Sequence, residues 1–240
     1  MIGICDGSTF SPKTQNLFKE IGQKYGMKSV ILIGGGASVK EGIALNLWEQ
    51  IRNQEIWSVN YAFMTMPYLP VKEIWCDRCF FTENQHKLEA LSQQGVQCVA
   101  KQNTLYDSIP EIKQYHWTRD YYYGTIDKPL FLGHMGLSGN FALSLAVALE
   151  YDTIYLLGYD YGTDSLKNQN THYYQGELST TSHGVGNSSI YMSETGVKKE
   201  VNYYDYYLAS KSKIFNVSPT SNIKSFEKLS YPQFFDLIKS

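Results

Sequence analysis

The sequence has few of the features that mark membrane, secreted or nucleic-acid-binding proteins. Its 240 residues contain no run of about 18 apolar residues. The first residues, MIGICDGSTFSPK, lack the basic start and apolar run of a secretory signal. Only 4 cysteines and 7 prolines are present, and 21 Lys and Arg are balanced by 23 Asp and Glu. We therefore predict no transmembrane segment, no duplex nucleic acid as a partner, and a cytoplasmic location with reduced cysteines.

Apolar and aromatic residues are plentiful enough for one large core. Hydrophobic residues make up 43% of the chain and charged residues 18%, which is typical of globular proteins. The 20 tyrosines stand out, and many fall between Tyr115 and Tyr207. Because a tyrosine ring is apolar while its hydroxyl is polar, this enrichment indicates an aromatic-lined, partly polar cleft.

Predicted strands and helices alternate along the chain. Apolar runs predict strands in SVILIGGG, EIWSVNYAF, VKEIWCD, VQCVA, DTIYLLGYDYG and KSKIFNVSP. Helical spacing of apolar residues occurs in TQNLFKEIGQKYGMK, EGIALNLWEQIRN, NQHKLEALSQQG, LSGNFALSLAVALEY and YPQFFDLIKS. This order predicts an α/β fold, Rossmann-like, with a mostly parallel doubly wound sheet in a single domain spanning 1–240.

Residues 162–200 interrupt the alternation. This stretch is polar, rich in Gly, Ser, Asn and Thr, and too long for an ordinary connection between a strand and a helix. It lacks the apolar surface that would hold one conformation unaided. We expect it to be a flexible lid insert.

Three glycines follow the first predicted strand directly. Gly34, Gly35 and Gly36 would let backbone N–H groups approach a phosphate, and Ser38 adds a hydroxyl at the start of the next helix. A second helix start, at Ser138, Gly139 and Asn140, offers another set of N–H donors. Two such helix starts facing one cleft would suit a nucleotide, although a purely structural turn remains an alternative for the glycines.

Polar side chains end three of the predicted strands. Asn60 follows WSV, Asp77 follows EIWC, and Asp160 follows IYLLGY. Parallel strands bind ligands beyond their carboxyl ends. We therefore expect these three side chains on the same rim as the glycine turn.

Five stretches carry a resemblance to known families: LIGGGASVKEG, SVNYAF, LSGNFALSLAVALEYDTIYLLGYDY, THYY and FNVSPTSNIKSF. In this order they resemble the bacterial sialyltransferases of glycosyltransferase family 42. They equally resemble a neighbouring family that includes the archaeal 6-hydroxymethylpterin diphosphokinases. Both share a Rossmann-like sheet with a G-x-G-x-S turn, an S-G-x helix start, a G-x-D strand end and a T/S-H-Y segment.

The resemblance implies a role for each matching residue. Those matching the nucleotide and donor contacts of the sialyltransferases are Gly34, Gly36, Ser38 and Asn60. Ser138 and Gly139 match the segment that holds the base and ribose, and Asp160 matches an aspartate on the ribose or metal side. Tyr161 and Tyr173 match positions that line the cleft, and Asp77 replaces an asparagine near the transferred sugar.

The residues implied in catalysis are Asp77, His172 and Glu177. The sialyltransferases follow their H-Y pair with a second histidine that acts as general base, whereas THYYQGEL has none at that place. His172 or Glu177 would then have to move the proton.

The resemblance implies a transferase that uses a nucleotide-activated donor, most plausibly a glycosyltransferase without a metal cofactor. The alternatives are a diphosphokinase with Mg²⁺ held by Asp77 and Asp160, and a nucleotide-binding module without activity. The partners would be a nucleotide-sugar donor and a small-molecule or glycan acceptor, and a homo-oligomer is possible.

One further motif stands apart from this set. Cys76 and Cys79 form a C-x-x-C, which in other proteins binds zinc or carries redox chemistry. A structural zinc site needs four ligands, and the sequence has no second pair. The simpler interpretation is two small residues at a strand end.

Overall fold

A computed structural model describes residues 28–101, 103–106, 109, 111–115, 117–118, 132–133, 137–161, 173–174 and 202–239. The predicted N-terminal helix lies outside these residues. The predicted lid at 162–200 also lies outside them, apart from Tyr173 and Tyr174.

Strands and helices alternate through most of the described chain. The strands are β1 (Ser29–Ile33), β2 (Ile56–Val59), β3 (Lys72–Trp75), β4 (Gln97–Lys101), β5 (Ile112–Tyr115), β6 (Trp117–Thr118), β7 (Leu132–Gly133), β8 (Thr153–Leu157), β9 (Lys213–Asn216) and β10 (Glu227–Lys228). The α-helices are α1 (Val39–Ala44), α2 (Leu47–Ile51), α3 (Arg78–Gln93), α4 (Ser138–Ala148) and α5 (Tyr231–Lys239). Short 3₁₀ helices span Asn60–Thr65, Thr104–Tyr106 and Asn202–Ala209.

Eight strands form one sheet in the order β10-β9-β8-β1-β2-β3-β4-β5, and β6 pairs with β7 separately. Every pairing in the large sheet is parallel. From β1 the chain runs outward through β2 to β5, then returns to β8 on the other side of β1. The order therefore reverses between β1 and β8, which is the switch point of a doubly wound sheet. The predicted α/β, Rossmann-like class is confirmed.

Helices cover both faces of the sheet. We call the side packed by α1, α2, α3 and α5 the first face, and the side packed by α4 and the 3₁₀ helix Asn202–Ala209 the second face. Strand β1 shows why its sequence is apolar throughout: Ile31 and Ile33 enter the first core, while Val30 and Leu32 enter the second. Within the described residues, no helix combines the length and apolar character needed to cross a membrane.

The structure differs from the sequence prediction in the region after the glycines. The single helix predicted in EGIALNLWEQIRN is two short helices, because Asn46 between them adopts a left-handed φ of 64°. The strand predicted through EIWSVNYAF ends at Val59, since Asn60 has a φ of 56° and begins a 3₁₀ helix. Strands β5 and β10 are too short or too polar to have been predicted from their sequences.

Candidate functional site

The glycine turn between β1 and α1 is packed against the end of β8. The Gly34 N–H donates to the Leu157 carbonyl at 2.8 Å, and the Gly36 N–H donates to the Gly158 carbonyl at 2.9 Å. A Cβ atom added at Gly36 would lie 2.6 Å from that Gly158 oxygen. Gly158 itself has a φ of 71°. Glycine is needed here because two backbones approach each other more closely than a side chain allows.

A carboxylate of the chain itself occupies the start of α1. The Ser38 N–H donates to Oδ2 of Asp160 at 2.7 Å, and the Ser38 hydroxyl donates to Oδ1 at 2.5 Å. The first turn of a helix attracts negative charge, so Asp160 fills the place that a phosphate would prefer. The Gly35 N–H, in contrast, has no acceptor among the described residues. A phosphate role for this turn stays a prediction.

The start of α4 is held in place by hydroxyl and amide side chains, whereas the start of α1 is bonded to a carboxylate. The hydroxyl of Ser138 accepts from the Cys76 N–H at 3.0 Å, and this bond ties α4 to the end of β3. The Tyr207 hydroxyl donates to Oδ1 of the fully buried Asn140 at 2.5 Å. Nδ2 of Asn140 is buried without a partner, and the N–H groups of Ser138, Gly139 and Asn140 find no acceptor among the described residues. Helix α4 therefore begins with unfilled donors.

The ring of Tyr159 separates the glycine turn from the start of α4. One edge of the ring lies 3.3 Å from where a Cβ on Gly34 would stand, and the other lies 3.0 Å from a Cβ on Gly139. Its hydroxyl donates to the Gly139 carbonyl at 3.1 Å. The two helix starts are thus neighbours across a single phenol ring at the switch point.

Asn60 and Asp77 follow the neighbouring strands β2 and β3. Oδ1 of Asn60 is buried and has no hydrogen-bond partner in the described part of the chain. Asp77 occupies the N-cap position of α3, and part of its side chain is exposed. Loss of hydration raises the pKa of Asp77, and the nearby charge of Lys101 opposes this shift.

The structure does not bring Asp77 and Asp160 together. Asp160 follows β8 and Asp77 follows β3, and β1 and β2 lie between these strands. At about 4.8 Å between neighbouring strands, their ends are about 14 Å apart. Mg²⁺ binds its ligands at about 2.1 Å, so a single ion held by both carboxylates does not fit this arrangement. The described residues also contain no group of three or more His, Cys, Asp or Glu side chains suited to a metal.

The C-x-x-C motif has no active-site character in the structure. Cys76 is buried on the second face, whereas Cys79 is exposed at the start of α3, and both are free thiols. Burial raises the pKa of the Cys76 thiol. A redox cysteine needs the opposite shift, toward the reactive thiolate.

Tyr173 is in contact with the glycine turn. Its N–H donates to the Gly35 carbonyl at 2.8 Å, and its hydroxyl contacts Thr65 Oγ1 at 2.7 Å. His172 and Glu177, the predicted catalytic pair on either side of it in sequence, lie outside the described residues. Their roles stay predictions.

Tyr161 lies on the other side of the switch point, with a left-handed φ of 48°. Its hydroxyl is 2.8 Å from that of Tyr204, and its carbonyl accepts from Nδ2 of Asn222. Tyr161 is thereby joined to the second face, whereas Tyr173 is joined to the first.

The sequence interpretation missed four residues that shape this site. Gly158 and Tyr159 lie in LLGYDY, where a glycine between a strand and an aspartate could have indicated a close backbone approach. The sequence gives no such signal for Gly42 and Tyr231. The Tyr231 ring packs directly on Gly42 in α1. This contact joins residues far apart in sequence.

No protein-family model and no curated protein matches this chain. Among solved structures, the chain is similar to the sialyltransferase CstII from Campylobacter jejuni in complex with a substrate analogue, CMP-3FNeuAc. The two chains share 17% sequence identity, with 85% of each covered and a TM-score of 0.45. A likeness this distant supports no statement about function.

Proposed function

We propose that the chain is a transferase that binds a nucleotide-activated donor at the switch point between β1 and β8. The observation that carries this proposal is the position of Tyr159 between the glycine turn and the start of α4. The N–H of Gly35 and the N–H groups at the start of α4, none of which has an acceptor among the described residues, would then serve the same ligand. Donors of this kind bind phosphate oxygens and the carbonyls of a base.

The proposed reaction is glycosyl transfer, in keeping with the sequence resemblance to CMP-sialic acid-dependent sialyltransferases. Orientation of the sugar and stabilisation of the departing phosphate would supply most of the rate. In this proposal His172 moves the proton from the acceptor hydroxyl, with Glu177 as the second candidate. No metal is required, and the acceptor is a small molecule or a glycan.

The binding part of the proposal can be tested at Ala37, which is exposed in the glycine turn. Isothermal titration with CMP, CDP, UDP and ADP should give binding of at least one of them. Ala37→Glu should weaken that binding about tenfold or more, because its carboxylate would repel a phosphate. Ala37→Gln, of the same size and without charge, is the control and should bind nearly as the native chain does. Absence of binding by every nucleotide would reject the proposal.

The reaction can be tested with CMP-sialic acid and a lactose acceptor, followed by mass spectrometry. Transfer that continues in EDTA supports the glycosyltransferase. Transfer of diphosphate from ATP that EDTA abolishes would support the diphosphokinase instead. A nucleotide that is bound and recovered unchanged in both assays would indicate a binding module.

A further inference from the structure

One row of side chains on the first face crosses six strands at the same level. The residues in register are Leu157, Ile33, Ser58, Glu73, Cys98 and Ile112. Four of them belong to the first core: Leu157, Ile33, Cys98 and Ile112. Side chains alternate along a strand, so Glu73 points to the same side as Trp75, which belongs to that core. An acidic side chain therefore stands in the middle of an otherwise non-ionic row.

The Glu73 carboxyl is wholly buried, with 0% of the residue exposed. Its Oε2 accepts a hydrogen bond from the Ser58 hydroxyl, and its Oε1 has no partner among the residues that the structure describes. The Cys98 thiol is its neighbour in the row, and the Tyr174 phenol lies within electrostatic range, because the Glu73 charge raises the pKa of both groups. Helix α3 packs on this face without a buried charge: its buried residues are Phe80, Phe81, Asn84, Leu88 and Leu91.

Tyr174 belongs to a pair of tyrosines that reaches the candidate site. The rings of Tyr173 and Tyr174 meet edge to face, with centroids 5.1 Å apart, and Tyr174 also contacts the ring of Tyr61 at 5.9 Å. The Tyr173 N–H is bonded to the carbonyl of Gly35 in the glycine turn. This tyrosine pair therefore joins the first core, in which the carboxyl is buried, to the glycine turn.

We propose that Glu73 is a proton-dependent positioning residue, whose protonated carboxyl allows Tyr173 and Tyr174 to stay docked against the glycine turn. When the carboxyl loses its proton, a negative charge without a cationic partner among the described residues lies in the first core, to which the tyrosine pair belongs. Such a charge is far more stable in water than in an apolar core. Release of the pair admits water to the carboxylate, so deprotonation favours the released state.

The direction of the pH effect follows from linkage. Burial raises the pKa of Glu73 well above its ordinary value, and the Ser58 hydrogen bond only partly opposes this. Between the ordinary value and the raised one, the docked state holds a proton that the released state has lost. The population of the released state therefore rises with pH in this window, by up to about tenfold per pH unit, and becomes constant above it.

The experiment measures hydrogen exchange of the Tyr173 amide by NMR in the full chain labelled with ¹⁵N-tyrosine, from pH 5 to pH 8. Rates are corrected for the intrinsic pH dependence of exchange, and the Tyr151 amide, bonded to the Ala146 carbonyl, reports opening elsewhere. Opening at Tyr173 should rise with pH, and Glu73→Gln should remove this slope. Glu83→Gln is the matched control: Glu83 is exposed and accepts from the Tyr61 hydroxyl, so the slope should persist.

A corrected rate at Tyr173 that does not change with pH would overturn the proposal, as would an unchanged slope in Glu73→Gln. If that variant does not fold, ¹³C NMR of the Glu73 carboxyl in the native chain decides: titration near the ordinary pKa of a glutamate refutes the proposal, and titration well above it supports it. No nucleotide is used, so these results are independent of the proposed transferase activity.

Discussion

The two faces of the sheet bury their polar groups in different ways. The first face uses carboxyl groups: Asp160 bonds to Ser38 beside α1, and Glu73 lies within the core. The wholly buried polar groups of the second face are neutral, with the Tyr207 hydroxyl placed between Asn140 and Ser144. The half-buried Glu55 carboxyl accepts hydrogen bonds from Trp57 and Tyr151, whose rings also belong to this face. Hydroxyls and amides do not titrate near neutral pH, whereas burial raises the pKa of the Glu73 carboxyl well above its ordinary value. A pH response of the fold above the ordinary range of carboxyl groups is therefore expected from Glu73 on the first face.

The two faces should differ most in how much stability is lost when a glycine is replaced by alanine. In Gly36→Ala the new Cβ would overlap the Asp160 carboxyl and the Gly158 carbonyl, both at 2.6 Å. The backbone has to shift, so the free energy of unfolding should fall by about 2–3 kcal/mol. Gly139→Ala, where the ring of Tyr159 lies at 3.0 Å, should cost less than about 1 kcal/mol. Urea denaturation measures both, and equal costs would show that the glycine turn is no tighter than the start of α4.

A second prediction concerns the pH dependence of global stability. Glu73 keeps its proton in the folded chain above the pKa at which the unfolded chain releases it. The folded state then binds more protons, so the free energy of unfolding falls as pH rises from about 4.5, by at most about 1.4 kcal/mol per pH unit.

Glu73→Gln should remove this part of the slope and make the chain more stable than the native one at pH 7. Urea denaturation between pH 4.5 and pH 8 provides the comparison. A variant that is less stable than the native chain throughout this range would mean that the carboxyl is stabilising in its ionised form.

A third prediction tests the contact between Asp160 and Ser38. Asp160→Asn keeps the shape of the side chain but removes its charge from the start of α1, which should cost about 1–2 kcal/mol. Ser38→Ala removes the hydroxyl bond alone and should cost about 1 kcal/mol. A double-mutant cycle should give a coupling energy of about 0.5 kcal/mol or more. Strict additivity of the two losses would show that the pair contributes nothing together.

The smallest effect is expected on the second face. Tyr207→Phe leaves Oδ1 of Asn140 without its buried donor, and should lower stability by about 1 kcal/mol. This loss should be the same at pH 5 and pH 8, because none of the groups in the contact titrates between those values. Thermal unfolding at the two pH values checks it; a loss that grows with pH would mean that this face also contains a titrating group.

The sequence predicted the sheet better than it predicted the site. Apolar runs such as VILI are buried on both faces of a parallel sheet, and this pattern is local, so the class could be inferred from it. The glycines were correctly placed at the end of β1, but their partners Gly158 and Asp160 lie far along the chain. No spacing rule reveals that a helix start is filled by a carboxylate from another strand. The burial of Glu73 was equally hidden, since KEIW looks like a strand with one exposed acidic residue.

The pairing of β1 with β8 also has a consequence for how the chain is made. On the ribosome, β1 emerges well before β8, which begins more than a hundred residues after β1 ends. Until then the central strand of the finished sheet has an open hydrogen-bonding edge, and such edges pair readily with other chains. The nascent protein is thus exposed to aggregation between the synthesis of β1 and that of β8, and a slow codon stretch or a pause before β8 would lengthen that period. The segment from β8 onward both completes the switch point and protects β1.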